Sequence, residues 1–363
     1  HYLLMEGFSA LVMTSANPSD CPVFIRNREA VEGLQGIADG FLLHNRDIVT
    51  RCDDSLLRIF RGKEYPLRRS RGYVPHPLEV PGNVHGLLAC GAEQKAGFAL
   101  GKGQDALLSQ HIGDLKNMET LEHYQTQLHH FRTLFGVEVE GLACDLHPDY
   151  LSTQVAQQLA KELDVPLTQV QHHHAHMLSC MADNGLTGPC IGLIWDGTGL
   201  GTDGTIWGAE CLAGDAHSFT RLGSIAPIRL PGGDACARAP GRIAHSLLVE
   251  AGLEEQSTAH QAQLLTLQLN AGLNCPPASS MGRLFDGVYG LLGGASPVHY
   301  EGESAIRLEH MAQAGITQSL PVEVETVDGV CRLITPALTA ALLGRKAAGD
   351  SPHLFARPLV DAM

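Results

Sequence analysis

Four histidines crowd into five residues at His172-His173-His174-Ala175-His176, and Asp196 follows twenty residues after the last of them. The i, i+4 spacing of His172 and His176 puts both imidazoles on one face of a helix, close enough to share an ion. His173 and His174 are expected to point elsewhere. Two imidazoles do not complete a site. Asp196, at the end of an apolar run and ahead of a glycine-rich turn, is the candidate third ligand. A polar helix start with stacked histidines is the competing reading, but so dense a cluster serves no packing purpose.

Asp196 opens the stretch Asp196-Gly197-Thr198-Gly199-Leu200-Gly201-Thr202-Asp203-Gly204. Glycines 197, 199, 201 and 204 would let backbone N–H groups approach anionic oxygens. Asp203 could hold a nucleotide-bound Mg²⁺. A plain Asp-Gly β-turn would also account for the pattern. Further along, Pro231-Gly232-Gly233-Asp234 offers a turn and a carboxylate within reach of a ribose or metal. Ser279-Ser280-Met281-Gly282-Arg283-Leu284-Phe285-Asp286 reads as a capped helix start with Arg283 facing anions, or as ordinary N-capping. Tyr300-Glu301-Gly302-Glu303 reads as a nucleotide-hydroxyl contact or as a solvated turn. Near the start, Thr14-Ser15-Ala16-Asn17 sets hydroxyl and amide groups just past an apolar strand, a usual place for ligand contact; an Asn-Pro turn is the simpler reading. Arg68, Arg69 and Arg71 form a basic cluster, either a phosphate site or a solvated tail.

The elements that must position these residues read as α/β. Strands are expected at 10–13, 41–43, 48–49 and 56–59, and a helix at 30–37. Prolines 75, 77 and 81 mark a linker. Beyond it, helices are expected at 118–135, 152–163, 173–184, 242–251, 259–271, 284–292, 304–314 and 336–343. Residues 86–109 and 191–212 echo one another as strand, turn, strand, strand. Two such hairpins, one per half, suggest the duplicated actin/Hsp70/sugar-kinase architecture. The reading is a first domain over 1–80 and a second over 81–363.

Composition narrows the function classes. The 363 residues are 44% hydrophobic and 18% charged, and none of the ten cysteines forms a Cys-x-x-Cys pair. Scattered cysteines read as reduced and cytoplasmic. Residues 1–80 hold ten basic and ten acidic residues, whereas the remainder holds 15 basic and 29 acidic ones and carries the whole net charge of −14. A nucleic-acid surface is therefore disfavoured there. No window reaches the roughly 18 apolar residues of a membrane span. Nothing reads as a signal peptide. The start at His1 and the end at Met363 read as truncations.

Together the motifs resemble the HypF family, the carbamoyltransferases that mature [NiFe] hydrogenases. Ser15-Ala16-Asn17 and Arg68-Arg69-Ser70-Arg71-Gly72-Tyr73 look like the end of its YrdC-like α/β domain. Ser109-Gln110-His111-Ile112-Gly113-Asp114-Leu115, Asp145-Leu146-His147-Pro148-Asp149-Tyr150 and the motifs after them look like its Kae1-like domain. The resemblance implies that the first domain makes carbamoyl adenylate from carbamoyl phosphate and ATP. The second would pass the carbamoyl group to the C-terminal cysteine of a HypE-type acceptor, for the cyanide ligands of the hydrogenase. It implies Mg²⁺ with the nucleotide. It also implies Zn²⁺ or Fe²⁺ on His172, His176 and Asp196, the candidate catalytic residues. The nucleotide set would be Ser15, Asn17, Arg69, Arg71, Gly197, Gly199, Gly201, Asp203, Gly232, Gly233, Asp234, Gly282, Arg283, Asp286 and Glu303. The acylphosphatase-like domain, zinc fingers, first half of the YrdC-like domain and closing Asp motif of the family would lie outside this sequence. Arg238-Ala239-Pro240-Gly241-Arg242 departs from the family's Arg-Glu-Pro-Trp-Arg. A tRNA threonylcarbamoyladenosine synthase, an antibiotic O-carbamoyltransferase and an actin-type scaffold that binds nucleotide without catalysis share the fold and stand as alternatives. The acidic balance, the domain order and the histidine cluster disfavour them in turn.

Overall fold

A computed structural model describes residues 2–19, 21–294, 297–312 and 320–349. His1, Met363 and the last residues of the helix expected at 304–314 lie outside the described residues. The chain divides into two compact units, His1–Val170 and Gln171–Met363.

The first unit begins with Tyr2–Met5 (α1), Asn27–Leu34 (α2) and a hairpin of Leu56–Phe60 (β1) and Lys63–Arg68 (β2). Arg61 and Gly62 turn this hairpin with φ of 51° and 76°, the left-handed pair that matches strand twist. No described residue before Ser70 is buried. The strands expected at 10–13, 41–43 and 48–49 do not form, because a strand needs a hydrogen-bonded neighbour and none pairs with them here.

From the proline segment onward the chain acquires a core, and Leu78–Glu79 within the expected linker already pairs into its sheet. The strands are Leu78–Glu79 (β3), Leu87–Ala89 (β4), Ala99–Lys102 (β5), Asp105–Leu108 (β6), Gly141–Asp145 (β7) and Leu167–Val170 (β8). They form a sheet in the order β3-β6-β5-β4-β7-β8, antiparallel through β6-β5-β4 and parallel from β4 to β8. The helices Met118–Phe135 (α3) and Leu151–Leu163 (α4) connect its parallel strands. The first begins where the Asn117 side chain accepts the Thr120 N–H and ends at left-handed Gly136. Its Tyr124, Leu128 and Phe131 recur at helical spacing and are buried, and Phe98 packs edge-on against Tyr124 and Phe131.

The second unit opens with His172–Asp183 (α5), Cys190–Leu200 (β9), Ile206–Gly214 (β10), Phe219–Ile225 (β11) and Ile228–Arg229 (β12). Then come Ala235–Arg238 (α6), Pro240–Glu250 (α7), Ala262–Ala271 (α8), Pro277–Ser280 (β13), Met281–Leu291 (α9) and Glu303–Met311 (α10). Glu323–Val327 (β14), Val330–Ile334 (β15) and Pro336–Ala347 (α11) follow among the described residues. The sheet runs β12-β13-β10-β11-β15-β14, with β9 also paired to β10. Successive hairpins β9-β10-β11 repeat the antiparallel β4-β5-β6 of the first unit, as the internal echo predicts. Met281, Leu284, Val288 and Leu291 share one face of α9 and pack with Ile243 and Leu247 of α7 in the main core. That packing fixes the start of α9 at the end of β13, beside β10.

Candidate metal and nucleotide site

Three local features converge in the second unit. The helix α5 starts at Gln171, whose side chain accepts the His174 N–H at 2.9 Å. His172 and His176 then lie on one face, with their Nε2 atoms 3.2 Å apart. On the neighbouring hairpin, β9 and β10 pair regularly up to Trp195↔Ala209 and resume at Gly199↔Trp207. Asp196, Gly197 and Thr198 thus oppose Gly208 alone, a bulge that re-aims the Asp196 carboxylate. On the third, β13 pairs parallel to β10 with Ser280 beside Gly208. Ser280 Oγ donates to the Gly197 carbonyl at 2.6 Å and accepts the Arg283 N–H at 3.1 Å. One hydroxyl therefore caps α9 and ties it to the bulge.

The result is a cluster of His172, His176 and Asp196 whose ligand atoms all lie within 4.8 Å of one another. Asp196 Oδ2 is 3.2 Å from His172 Nε2 and 3.9 Å from His176 Nε2. A tetrahedral ion with bonds of about 2.0–2.1 Å sets its ligand atoms about 3.3 Å apart. The observed spacings fit, with His176 slightly far from the carboxylate. Asp196 Oδ2 is buried and makes no well-formed hydrogen bond, while Oδ1 accepts the Gly197 N–H at 2.6 Å. An orphaned carboxylate oxygen facing two imidazole nitrogens is a donor set suited to Zn²⁺ or Fe²⁺. Burial pushes the Asp196 carboxyl up, but His172, the Gly197 N–H and the His176 charge hold it below the ordinary carboxylate range. The carboxylate is thus ionised at neutral pH.

His173 differs from its expected orientation. It faces the same cluster, wholly buried, with Nε2 3.8 Å from Asp196 Oδ2. Burial first, and then the charge of His172, lower its pKa to about 4, so it is neutral. His174 turns away as expected and meets the Asp215 carbonyl at 2.8 Å.

The expected phosphate residues separate into groups. Gly197 is open: nothing lies within 4 Å of where a Cβ would stand. It adjoins Gly282 in the first turn of α9, whose own Cβ position lies 3.1 Å from Gly197 Cα. Free backbone N–H groups at such a helix start favour an anion. Gly199 has another task. A Cβ there would stand 2.7 Å from the His173 ring and 2.8 Å from the His172 ring, so its bareness lets the hairpin approach α5. Gly201 is likewise filled by Trp207. Gly197→Val should therefore weaken nucleotide binding at least tenfold with metal content intact, whereas Gly199→Val should lower both. Calorimetry beside metal analysis checks this, and a Gly199→Val protein with full metal content would refute it.

Asp203 is committed to the hairpin. Its Oδ1 accepts from the Thr205 N–H and hydroxyl and from Trp207 Nε1, and its Oδ2 meets Arg221 at 3.2 Å. Arg221 also pairs with buried Glu210 at 2.6 Å and stacks over Trp207. Arg283 pairs with Asp286 at 3.0 Å; burial raises the Asp286 carboxyl and Arg283 opposes that. Glu303 is buried and braces the start of α10, accepting from the His299 N–H and from Arg307. Gly232 and Gly233 take left-handed φ values of 96° and 57°, with exposed Asp234 after them.

In the first unit, Ser15 donates to Asn17, and Asn17 donates to the Pro18 and Cys21 carbonyls, building a local turn. Arg71 contacts the Cys52 carbonyl and Asp54, and Arg69 reaches the Tyr73 carbonyl. Sequence reasoning missed Gln171, Glu210 and Arg221. Only Gln171, one residue before a polar helix start, carried a readable signal.

Family models match most of the chain. Residues 82–183 match the HypF Kae1-like domain, and residues 192–363 match the second subdomain of the carbamoyltransferase Kae1-like domain. Residues 1–70 match the Sua5/YciO/YrdC model, described as telomere recombination. The chain belongs to the HypF family. Carbamoyltransferase HypF2 of Cupriavidus necator is 41% identical over 326 residues, covering 87% of this chain and 40% of the relative. Carbamoyltransferase HypF of Rhizobium leguminosarum bv. viciae is 36% identical over 373 residues, covering 99% and 48%. Among solved structures, full-length HypF in a phosphate- and nucleotide-bound form superposes with a TM-score of 0.91 at 38% identity, covering 99% of this chain and 48% of that one. HypF of T. kodakarensis gives 0.84 at 36% identity, covering 96% and 48%. The chain spans about half the length of the HypF relatives it matches. The family resemblance and the α/β fold read from the motifs are borne out. No helix among the described residues is long and apolar enough to cross a membrane. All ten cysteines are free thiols.

Proposed function

We propose that this HypF chain carries the later half of a carbamoyl transfer path, with the end of a YrdC-like domain over 1–80 and a Kae1-like domain over 81–363. In the full-length protein, carbamoyl phosphate and ATP give carbamoyl adenylate, and the carbamoyl group passes to the C-terminal cysteine of a HypE-type acceptor in the cytoplasm. The observation that carries the reading is the cluster of His172, His176 and Asp196, joined through Gly197 and Ser280 to the capped start of α9. The relatives named carbamoyltransferases, and the nucleotide-bound HypF structure, support it.

His172, His176 and Asp196 would hold Zn²⁺ or Fe²⁺, which when bound polarises an acyl oxygen. The chain's own residues supply the rest. The first turn of α9 would meet the nucleotide phosphate beside Gly197, whose missing side chain leaves the approach open. Gly232, Gly233 and Asp234 are assigned to the ribose side. Arg283, Asp286 and Glu303 shape the wall behind it. Asp203 braces the hairpin through Arg221, so Mg²⁺ on this carboxylate would have to displace an existing ion pair. Ser15, Asn17, Arg69 and Arg71 are assigned to the adenylate-forming step.

The test uses the full-length protein with carbamoyl phosphate, ATP and a HypE-type acceptor. Mass spectrometry should find a carbamoyl group on the acceptor's terminal cysteine, dependent on both small molecules. Transfer to tRNA or to a small hydroxyl compound instead would refute the assignment.

A further inference from the structure

Gln171, one residue ahead of the histidine cluster, fixes which nitrogen of His173 carries its proton. Its side chain makes three contacts. Oε1 accepts the His174 backbone N–H at 2.9 Å, Nε2 donates to the Leu200 carbonyl at 3.1 Å, and Nε2 also lies 3.1 Å from His173 Nδ1. A backbone N–H can only donate and a carbonyl can only accept, so the amide cannot be flipped. Its second N–H must therefore point at Nδ1, which accepts. In a neutral imidazole the proton then sits on Nε2. That N–H is buried, makes no hydrogen bond, and lies 3.8 Å from the buried Asp196 Oδ2. A protonated ring nitrogen has no lone pair to offer an ion, so His173 cannot join His172 and His176 as a ligand.

We propose that His173 is a positioning residue whose Nε2–H, set by Gln171, donates to Asp196 Oδ2 and holds that carboxylate toward the ion between His172 and His176. A shift of roughly 0.8 Å brings the pair to hydrogen-bond distance. A carboxylate oxygen has lone pairs for both the ion and this donor. Such outer partners of a ligand typically change metal affinity by about 10–100-fold. Gly199 makes the arrangement sterically feasible, since it is the bare position against which both rings rest. The inference rests on the metal reading above, but its proton assignment can be tested without metal.

Two-bond ¹H–¹⁵N spectra of the metal-free 363-residue chain, labelled at histidine, should show His173 protonated on Nε2 and bare on Nδ1. Comparison with His173→Gln identifies the resonance. In Zn²⁺ titrations, His173→Phe should bind about 10–100-fold more weakly than the parent. His173→Gln, which restores an N–H at similar reach, should recover most of the loss. A bare Nε2, or parent-like zinc affinity in a folded His173→Phe, overturns the proposal. Should His173→Phe fail to fold, the parent spectrum and the His173→Gln titration still decide it. Absence of zinc binding by the unsubstituted chain would overturn the metal reading and the positioning role with it, while the metal-free spectrum would still judge the proton assignment.

Discussion

Replacing His176 by alanine in the full-length protein should lower carbamoylation of the acceptor cysteine by about 10²–10³-fold or more, the usual cost of removing a main source of stabilisation for developing negative charge. Exchange of pyrophosphate into ATP, dependent on carbamoyl phosphate, should keep most of its rate. The asymmetry follows from the proposed division of labour. His176 is half exposed on α5 and gives one of the two nitrogens that face Asp196. Its loss leaves His172 and the carboxylate, too few groups to hold an ion tightly. Adenylate formation is assigned to the YrdC-like segment with Ser15 and Asn17. Asn17→Ala should accordingly slow exchange, although it also loosens the turn held through the Cys21 carbonyl. Loss of both activities in His176→Ala, with circular dichroism unchanged, would mean that one site performs both steps.

A second large effect concerns acid stability. His123, buried in α3, has its pKa lowered to about 4 by burial and then by the Arg51 charge. The unfolded chain binds a proton there near the ordinary value of about 6.5. Between these values the unfolded state holds more protons than the folded one, so stability rises with pH across the window. The stabilisation is complete above pH ~6.5 and is lost as pH falls through about 4; a difference of this size corresponds to about 3 kcal/mol. His123→Gln, neutral at every pH, should flatten the urea-unfolding profile over that range relative to the parent. Parallel profiles would show that His123 is solvated or already charged.

Much of this arrangement was legible in the chain. The i, i+4 histidines and the Ser280 cap are local patterns, and local patterns survive folding. Asp196 reads as a strand end but lies inside β9, at its bulge. Periodicity placed α3 over its full length and most later helices within a residue or three. What escaped were features decided by partners distant in sequence. Gly199 and Gly201 read as phosphate glycines, yet the rings they touch come from α5 and β10. Asp203 read as a metal carboxylate, but Arg221 on the next strand claims it. The sheet order, and the bulge that aims Asp196, depend on register between strands. The apolar runs before residue 50 looked like strands because composition does not reveal whether a neighbour is present. The β14–β15 hairpin carries a local signal of its own: Asp328-Gly329, with φ of 52° and 81°, is a strong short-range hairpin turn.

Metal analysis of the purified protein beside a His172→Ala, His176→Ala double variant tests the centre of the account most directly. The parent should carry about one Zn²⁺ or Fe²⁺ per chain, as a single three-ligand site implies. The double variant should carry almost none, with its fold unchanged by circular dichroism. Equal metal content in the two proteins would contradict it.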